Sequence, residues 1–207
     1  MKGTYTIVTF GCQMNKSDSE TMAGILEEQG YAPVESPEQS DVILLNTCAV
    51  RGHSEEKAYS YLGHYRSMKE RDPEKIIGFT GCVAQKEGKD LLDRFDHLDF
   101  VMGPQNMTGL SDYVSTVREE DRRIVATEGK LEMVQSDTAR TRSDGQQAWV
   151  PIMTGCDKFC TFCIVPHTRG RERSRDPDDI LREIEDLVES GYREITLLGQ
   201  TVNTYGK

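Results

Sequence analysis

The stretch GCDKFCTFC, residues 155–163, sets Cys156, Cys160 and Cys163 close together and brings no fourth cysteine near them. Thiolates are soft ligands that select zinc or iron–sulfur clusters. A structural zinc site closes with four ligands, commonly paired Cys-x-x-Cys or Cys/His sets, and His167, just beyond Cys163, is a side chain that could complete one. An ordinary 4Fe–4S cluster takes four cysteines. The Cys-x3-Cys-x2-Cys spacing on its own leaves one iron of such a cluster open to a further ligand. On spacing alone the three readings stand side by side.

The other three cysteines, Cys12, Cys48 and Cys82, are far apart in sequence, yet each follows a β-rich run directly: TIVTFGC, VILLNTC and IIGFTGC. Strands of a parallel sheet point the same way, so residues just past their ends gather at the carboxyl edge, where α/β proteins build their sites. Three thiols meeting there could hold a metal group. A small cysteine buried in a loop would explain any one of them singly.

These residues need a scaffold, and the first 110 residues supply the pattern of one. TYTIVTF, DVILLNT, KIIGFTG and DFVMG read as strands alternating with helices, the signature of an α/β layer with a mainly parallel sheet. SDSETMAGILEEQG predicts a helix opened by a Ser17/Glu20 capping box, with Met22, Ile25 and Leu26 on one face and Gly30 at its left-handed end. A second helix is expected over about 53–70, carrying Ala58, Tyr61, Leu62, Tyr65 and Met68 as core residues and stopping before Pro73. A third helical stretch should follow Cys82 and a fourth should cover about residues 107–118.

Residues 1–118 are thus expected to form one domain. Residues 119–147, rich in Glu, Asp, Arg, Ser and Thr, read as a linker with short strands near RRIVAT and LEMVQ. Residues 148–207 begin a second unit: AWVPIMTG as a strand running into the cysteine triplet, then a helix capped by Asp176 with Pro177 in its first turn, then REITLLG as a strand. Ile180, Ile184, Leu187 and Val188 form that helix's apolar stripe, and Gly191 ends it. A complete (β/α)8 barrel needs about 250 residues, so this unit could be only the start of one.

With 207 residues and 36% hydrophobic content, the chain can bury a core without disulfide staples. MKGTYTIVTFGCQMN has no longer apolar region and no small-residue cleavage site, so no signal peptide is read there. No run of 18 apolar residues suggests a membrane span. A cytoplasmic, reducing location is expected, in which clustered cysteines serve metals or catalysis. The formal net charge of −10 argues against broad adhesion to nucleic acid or acidic membranes. Only TRGRERSR, with Arg169, Arg171, Arg173 and Arg175, offers a local contact for a polyanion, although such a run also suits a solvated face.

The Cys156/Cys160/Cys163 spacing resembles that of the radical S-adenosylmethionine (SAM) enzymes. The wider series GCQMNKSDSE, VILLNTCAVR, GFTGCVAQ, GCDKFCTFCIVPHTRGRERSR and EITLLGQTVNTYG resembles the methylthiotransferases among them, over nearly the whole chain. The likeness is strongest to the branch that modifies tRNA, since the sister branch, acting on an aspartate of ribosomal protein S12, usually lacks the GCQMN form. His167 stands where the family pattern has Tyr or Phe.

The resemblance implies an α/β fold: an N-terminal methylthiotransferase domain with a parallel, flavodoxin-like sheet, followed by the truncated start of a radical-SAM (β/α) barrel, with the family's C-terminal RNA-binding TRAM domain missing. It implies two 4Fe–4S clusters and SAM: Cys156, Cys160 and Cys163 hold the SAM-cleaving cluster, and Cys12, Cys48 and Cys82 an auxiliary cluster that carries the sulfur. The activity implied is methylthiolation of C2 of N6-isopentenyladenosine next to the anticodon, by a monomer supplied by an electron donor such as flavodoxin or ferredoxin and by a sulfur source, and the isolated chain is not expected to turn over. Phe162 is expected near the SAM adenine, and Gly199 and Gln200 at SAM. The four arginines are expected at tRNA phosphates or the SAM carboxylate. Asn15, Asn46 and Gln85, beside the auxiliary cysteines, could tune cluster hydrogen bonding or serve turns. His53, His64 and His97 read as surface or satisfied residues. A non-catalytic iron–sulfur or zinc module is the alternative of another class.

Overall fold

The computed structural model describes residues 2–50, 52–129, 138, 140–142 and 145–207; the strand expected at residues 131–135 lies outside them. The first unit runs β1 (Gly3–Thr9), α1 (Gln13–Glu28), β2 (Tyr31–Pro33), β3 (Val42–Thr47), α2 (Gly52–Arg71), β4 (Ile76–Gly81), α3 (Cys82–Glu87), α4 (Lys89–Arg94), β5 (Phe100–Met102), α5 (Leu110–Glu120) and β6 (Ile124–Ala126). The sheet order is β2-β1-β3-β4-β5-β6 and every pair is parallel. The first five strands follow the flavodoxin-like order, whose direction reverses beside β1 and β3.

Apolar content and period explain the layers. Every residue of β3 and of β4 is buried, as strands covered on both faces must be. Val42 and Leu44 join Met22, Ile25 and Leu26 of α1 and Val114 of α5 in one core, while Ile43 and Leu45 join Ala58, Leu62 and Tyr65 of α2 in another. Alternate residues of one strand thus feed two cores, one on each face.

Several expectations change. The first helix begins at Gln13, with Cys12 in the N-cap position, so Ser17 and Glu20 form no capping box. Both lie inside α1 and are buried, because its polar side meets other parts of the chain rather than water. Gly30 does take positive φ, at +86°. Tyr61 is exposed rather than core, while Ala58, Leu62, Tyr65 and Met68 are buried as expected. The sheet extends past residue 118, because β6, read as part of the linker, pairs with β5. β2 had no counterpart among the expected strands.

The second unit contains β7 (Gln147–Pro151), β8 (Met153–Thr154), α6 (Val165–Thr168), β9 (Arg173–Ser174), α7 (Pro177–Glu189) and β10 (Glu194–Leu198). β7 and β10 pair in parallel with α7 between them in sequence, the beginning of a β/α layer. Asp176 caps α7 by accepting the Asp178 N–H at 2.9 Å, as its sequence indicates. Ile180, Ile184 and Leu187 pack in the second unit's core with Ala148, Val150 and Ile152; Val188 is exposed instead. The strand expected as AWVPIMTG breaks after Pro151, and its second piece, β8, pairs antiparallel with β9. That clip, with Cys156 N–H donating to Gly170 O at 3.1 Å, closes the cysteine loop and returns the arginine stretch to its base.

Among the described residues, no helix is long and apolar enough to cross a membrane.

Candidate metal centre

Cys12, Cys48 and Cys82 each stand at the end of a strand of the first sheet: after β1, after β3, and at the start of α3 directly behind β4. β1, β3 and β4 are neighbours, so the three thiols meet at the carboxyl edge where the order reverses. Local backbone makes this approach close. Gly11 has φ +127°, and a Cβ there would fall 2.2 Å from Cys48 Cβ and 3.1 Å from its Sγ. Gly81, at φ +92°, passes so near β3 that a Cβ would meet Thr47 O at 2.4 Å.

Across from this edge comes the loop of the second unit. Cys12, Cys48, Cys82, Cys156 and Cys163 line one cavity of about 280 Å³ together with Met14, Val50, Val165, Arg169, Leu198, Gly199 and Gln200. Cys160 does not line it; it is exposed, its carbonyl accepting the Cys163 N–H at 3.0 Å. Phe162 is 95% exposed on the same loop and Phe159 91%, so neither is brought into the cavity. His167 is exposed as well and joins no thiol group. His97 is buried, with Nε2 2.7 Å from Leu62 O, a satisfied core histidine.

The thiols sit in a field that favours charge on one of them. A hydrogen bond from Cys48 pulls Cys12 down to about 5 against the opposing effect of burial, aided by the N–H groups of Asn15 and Met14 and by the Arg169 guanidinium. The same Cys12–Cys48 contact and burial push Cys48 up. A thiol at a helix N-terminus beside a guanidinium is the setting that produces a thiolate.

Asn15 and Asn46, both fully buried, support this corner. Asn15 Nδ2 donates to Asn46 Oδ1 at 3.0 Å and to Thr47 O at 2.9 Å, and Asn46 Nδ2 donates to Asn15 O at 2.7 Å. Cys12 Sγ lies 3.3 Å from Asn15 Oδ1. Asn15 therefore touches a candidate ligand and locks it to β3. Gln85 instead donates to Thr127 O, away from the thiols.

Two of the four arginines expected at phosphates are buried in ion pairs. Arg169 forks onto Asp18 of α1, with Nη2–Oδ2 at 2.6 Å and Nη1–Oδ1 at 3.4 Å. Arg175 is held by Asp179 at 2.5 Å and Glu183 at 2.6 Å. Each guanidinium is satisfied by carboxylates away from solvent, so neither offers a face to a polyanion. Arg171 and Arg173 are exposed, Arg171 forked onto Asp157 at 2.6 and 2.9 Å.

Three features were missing from the sequence reading. Thr201 Oγ1 lies 3.0 Å from Cys156 Sγ. Asp18 is the partner of Arg169. Arg142 reaches Glu20 of α1 at 3.0 Å and Glu183 of α7 at 2.6 Å, joining the two units. Asp18 and Glu20, acidic residues at buried positions of α1, were the only available signal.

The residues suit an iron–sulfur guest by three observations. All six cysteines are free thiols, and five line one cavity. Gln200 Oε1, in the same wall, is buried without a hydrogen-bond partner, an atom that normally has one. The glycine at position 11 leaves the space a side chain would take beside Cys48. Among the described residues no three ligand side chains close around a point as for a single metal ion. A cluster binds each thiolate through a different iron, and asks for a wider ring than one ion does.

Comparison with known proteins divides the chain into the same two parts. The model of Uncharacterized protein family UPF0004 matches residues 4–103 and that of the Radical SAM superfamily residues 150–207. A tRNA-2-methylthio-N(6)-dimethylallyladenosine synthase from Dictyoglomus thermophilum is 47% identical over 203 residues, covering 98% of this chain and 46% of the relative. One from Thermotoga petrophila is 48% identical over 203 residues, covering 98% and 45%. The chain thus spans about half the length of the curated relatives it matches. The radical SAM methyltransferase TsrM from Kitasatospora setae, solved with tryptophan and a SAM analog, shares the fold with a TM-score of 0.60 at 12% identity, over 97% of this chain and 48% of that one.

Proposed function

We propose that the chain belongs to the methylthiotransferase family of radical SAM enzymes and that these residues are the cluster-holding part of a tRNA methylthiotransferase acting on C2 of N6-isopentenyladenosine next to the anticodon. The observation that carries the reading is the convergence of thiols from both triads on one cavity. The names of the relatives favour tRNA over a ribosomal protein as substrate.

In this reading Cys12, Cys48 and Cys82 hold an auxiliary 4Fe–4S cluster, and Cys156, Cys160 and Cys163 hold the SAM-binding one. When bound, the clusters and SAM supply the radical, the sulfur and the methyl group. The protein's own residues do the rest. The ends of β1, β3 and β4 bring Cys12, Cys48 and Cys82 to the same cavity as Cys156 and Cys163 of the loop before α6, with Cys160 on that loop outside it. Met14, Val165 and Leu198 provide apolar wall that limits water near reactive species. Gln200 offers a buried acceptor to SAM beside Gly199, and Phe162 is free to pack on its adenine. Exposed Arg171 and Arg173 remain as candidates for local phosphate contact. A one-electron donor such as flavodoxin or ferredoxin, a sulfur source and a cytoplasmic setting complete the proposal.

The test is anaerobic reconstitution with iron and sulfide, then iron counting and EPR of the reduced protein with and without SAM. About eight irons are expected, falling to about four, with the SAM-induced spectral change lost, when Cys156, Cys160 and Cys163 are all changed to Ala. Zinc, or four irons indifferent to SAM, would overturn the reading.

A further inference from the structure

Arg169 is a cation that the second unit lends to the first. It follows Cys163 by six positions in the chain, yet its guanidinium is buried against α1, forked onto Asp18, and lines the cavity with Cys12, Cys48 and Cys82. Asp18 itself lies on the helix that starts at Cys12. Nearness to solvent does not explain the pair, since both side chains are more than nine-tenths buried. Burying such a pair costs more than a surface pair returns, so its position calls for a use.

Resting on the two-cluster reading above, we propose that Arg169 is a positioning residue for the auxiliary cluster, which fixes the second unit on α1 and sets, through its balance with Asp18, the charge around Cys12, Cys48 and Cys82. Burial works against the guanidinium charge, and Asp18 first, then the Cys82 and Cys12 sulfurs, hold it charged. The consequence is electrical. Reduction adds one electron to the cluster, so a fixed positive charge nearby favours the reduced form and a negative one disfavours it. The two partners should therefore act with opposite sign.

The experiment uses the 207-residue chain with Cys156→Ala, Cys160→Ala and Cys163→Ala, reconstituted so that only the auxiliary triad can hold a cluster, and titrated with dithionite under EPR. Against this background Arg169→Gln should shift the midpoint potential negative, Asp18→Asn should shift it positive, and Arg169→Lys should restore most of the Arg169→Gln loss. Asp18→Asn keeps the side chain's shape, so it tests charge even if Arg169→Gln takes up little iron. Potentials unchanged in both variants, or moved the same way, with about four irons still held, would overturn the inference while leaving the cluster assignment standing. Absence of iron from the background protein itself would overturn the assignment and the inference with it.

Discussion

Cys12 shows how a single residue takes its properties from its neighbours. It stands at the N-cap of α1, its sulfur meets Cys48, and the glycine before it passes over Cys48 with no room for a methyl group. Gly11→Ala should place a Cβ on the Cys48 side chain in a backbone region that costs an L-residue about 1–3 kcal/mol. The expected outcome is lower thermal stability and loss of the auxiliary share of the iron, with the share held by the other triad retained; iron counting on the single variant and on its Cys156/Cys160/Cys163 triple-Ala counterpart separates the two. Thr201 gives a second residue-scale prediction. Its hydroxyl is 3.0 Å from Cys156 Sγ, and hydrogen bonds to cluster sulfurs raise the potential. Thr201→Val should therefore lower the midpoint potential of the SAM-binding cluster, and Thr201→Ser should not, as an EPR redox titration will read. Neither contact was legible beforehand. The cysteine spacing announced the ligands, because ligand spacing is local, whereas a hydroxyl reaching a thiol across 45 residues leaves no pattern in a sequence.

At the scale of elements, the strands and helices of the first unit follow from period and apolar content, and β1, β3, β4 and β5 stand where their runs are written. The reading of α1 as starting at Ser17 failed for an instructive reason. Ser17 and Glu20 carry the capping-box pattern, but both are buried in mid-helix, where their polarity serves contacts with other parts of the chain rather than a helix start. β2 and β9 were hidden because a strand of two or three residues has too few positions to show a period. Asp99, just before β5, ties elements together in a way that pH can probe. It accepts the Ile77 N–H at 2.7 Å and Lys69 Nζ at 2.8 Å, yet burial outweighs both and holds its carboxyl above the usual range. For an acid raised by folding, the native state binds more protons than the unfolded chain between the two pKa values, so stability is present below the unfolded value and falls as pH rises through the folded one. Asp99→Asn removes that slope. Although the variant bears a pH-independent cost from Lys69, urea titrations should show the difference between variant and wild type moving in the variant's favour as pH rises through this window; a constant difference would refute the assignment.

The whole molecule depends on charges that the linear chain keeps far apart. The first unit lacks one wall of the cavity and the second lacks the other, so the site exists only if the two are held in register. Arg142, in the segment read as a linker, donates to Glu20, to Glu183 and to Trp149 O, while Glu183 also receives Arg140 and Arg175. Sequence composition described this segment as polar and irregular, which is true of it, and for that reason concealed that the side chains of Arg140 and Arg142 are buried. Which carboxylate each one meets is decided by tertiary packing. Glu183 is the shared acceptor of three guanidinium groups, and removing it leaves buried cations with too few partners, a loss of about 3–5 kcal/mol when a buried pair is broken. Because the network spans α1 and α7, the cost should fall on the joint more than on either core. Glu183→Ala should therefore lower the melting temperature and divide unfolding into two transitions, the later one retaining the signature of the six-stranded sheet in circular dichroism. Glu183→Gln, which keeps the shape and some of the hydrogen bonds, should lose less. A single transition shifted equally in both variants would mean that Glu183 supports only its own helix, and that the two units are held together by other contacts.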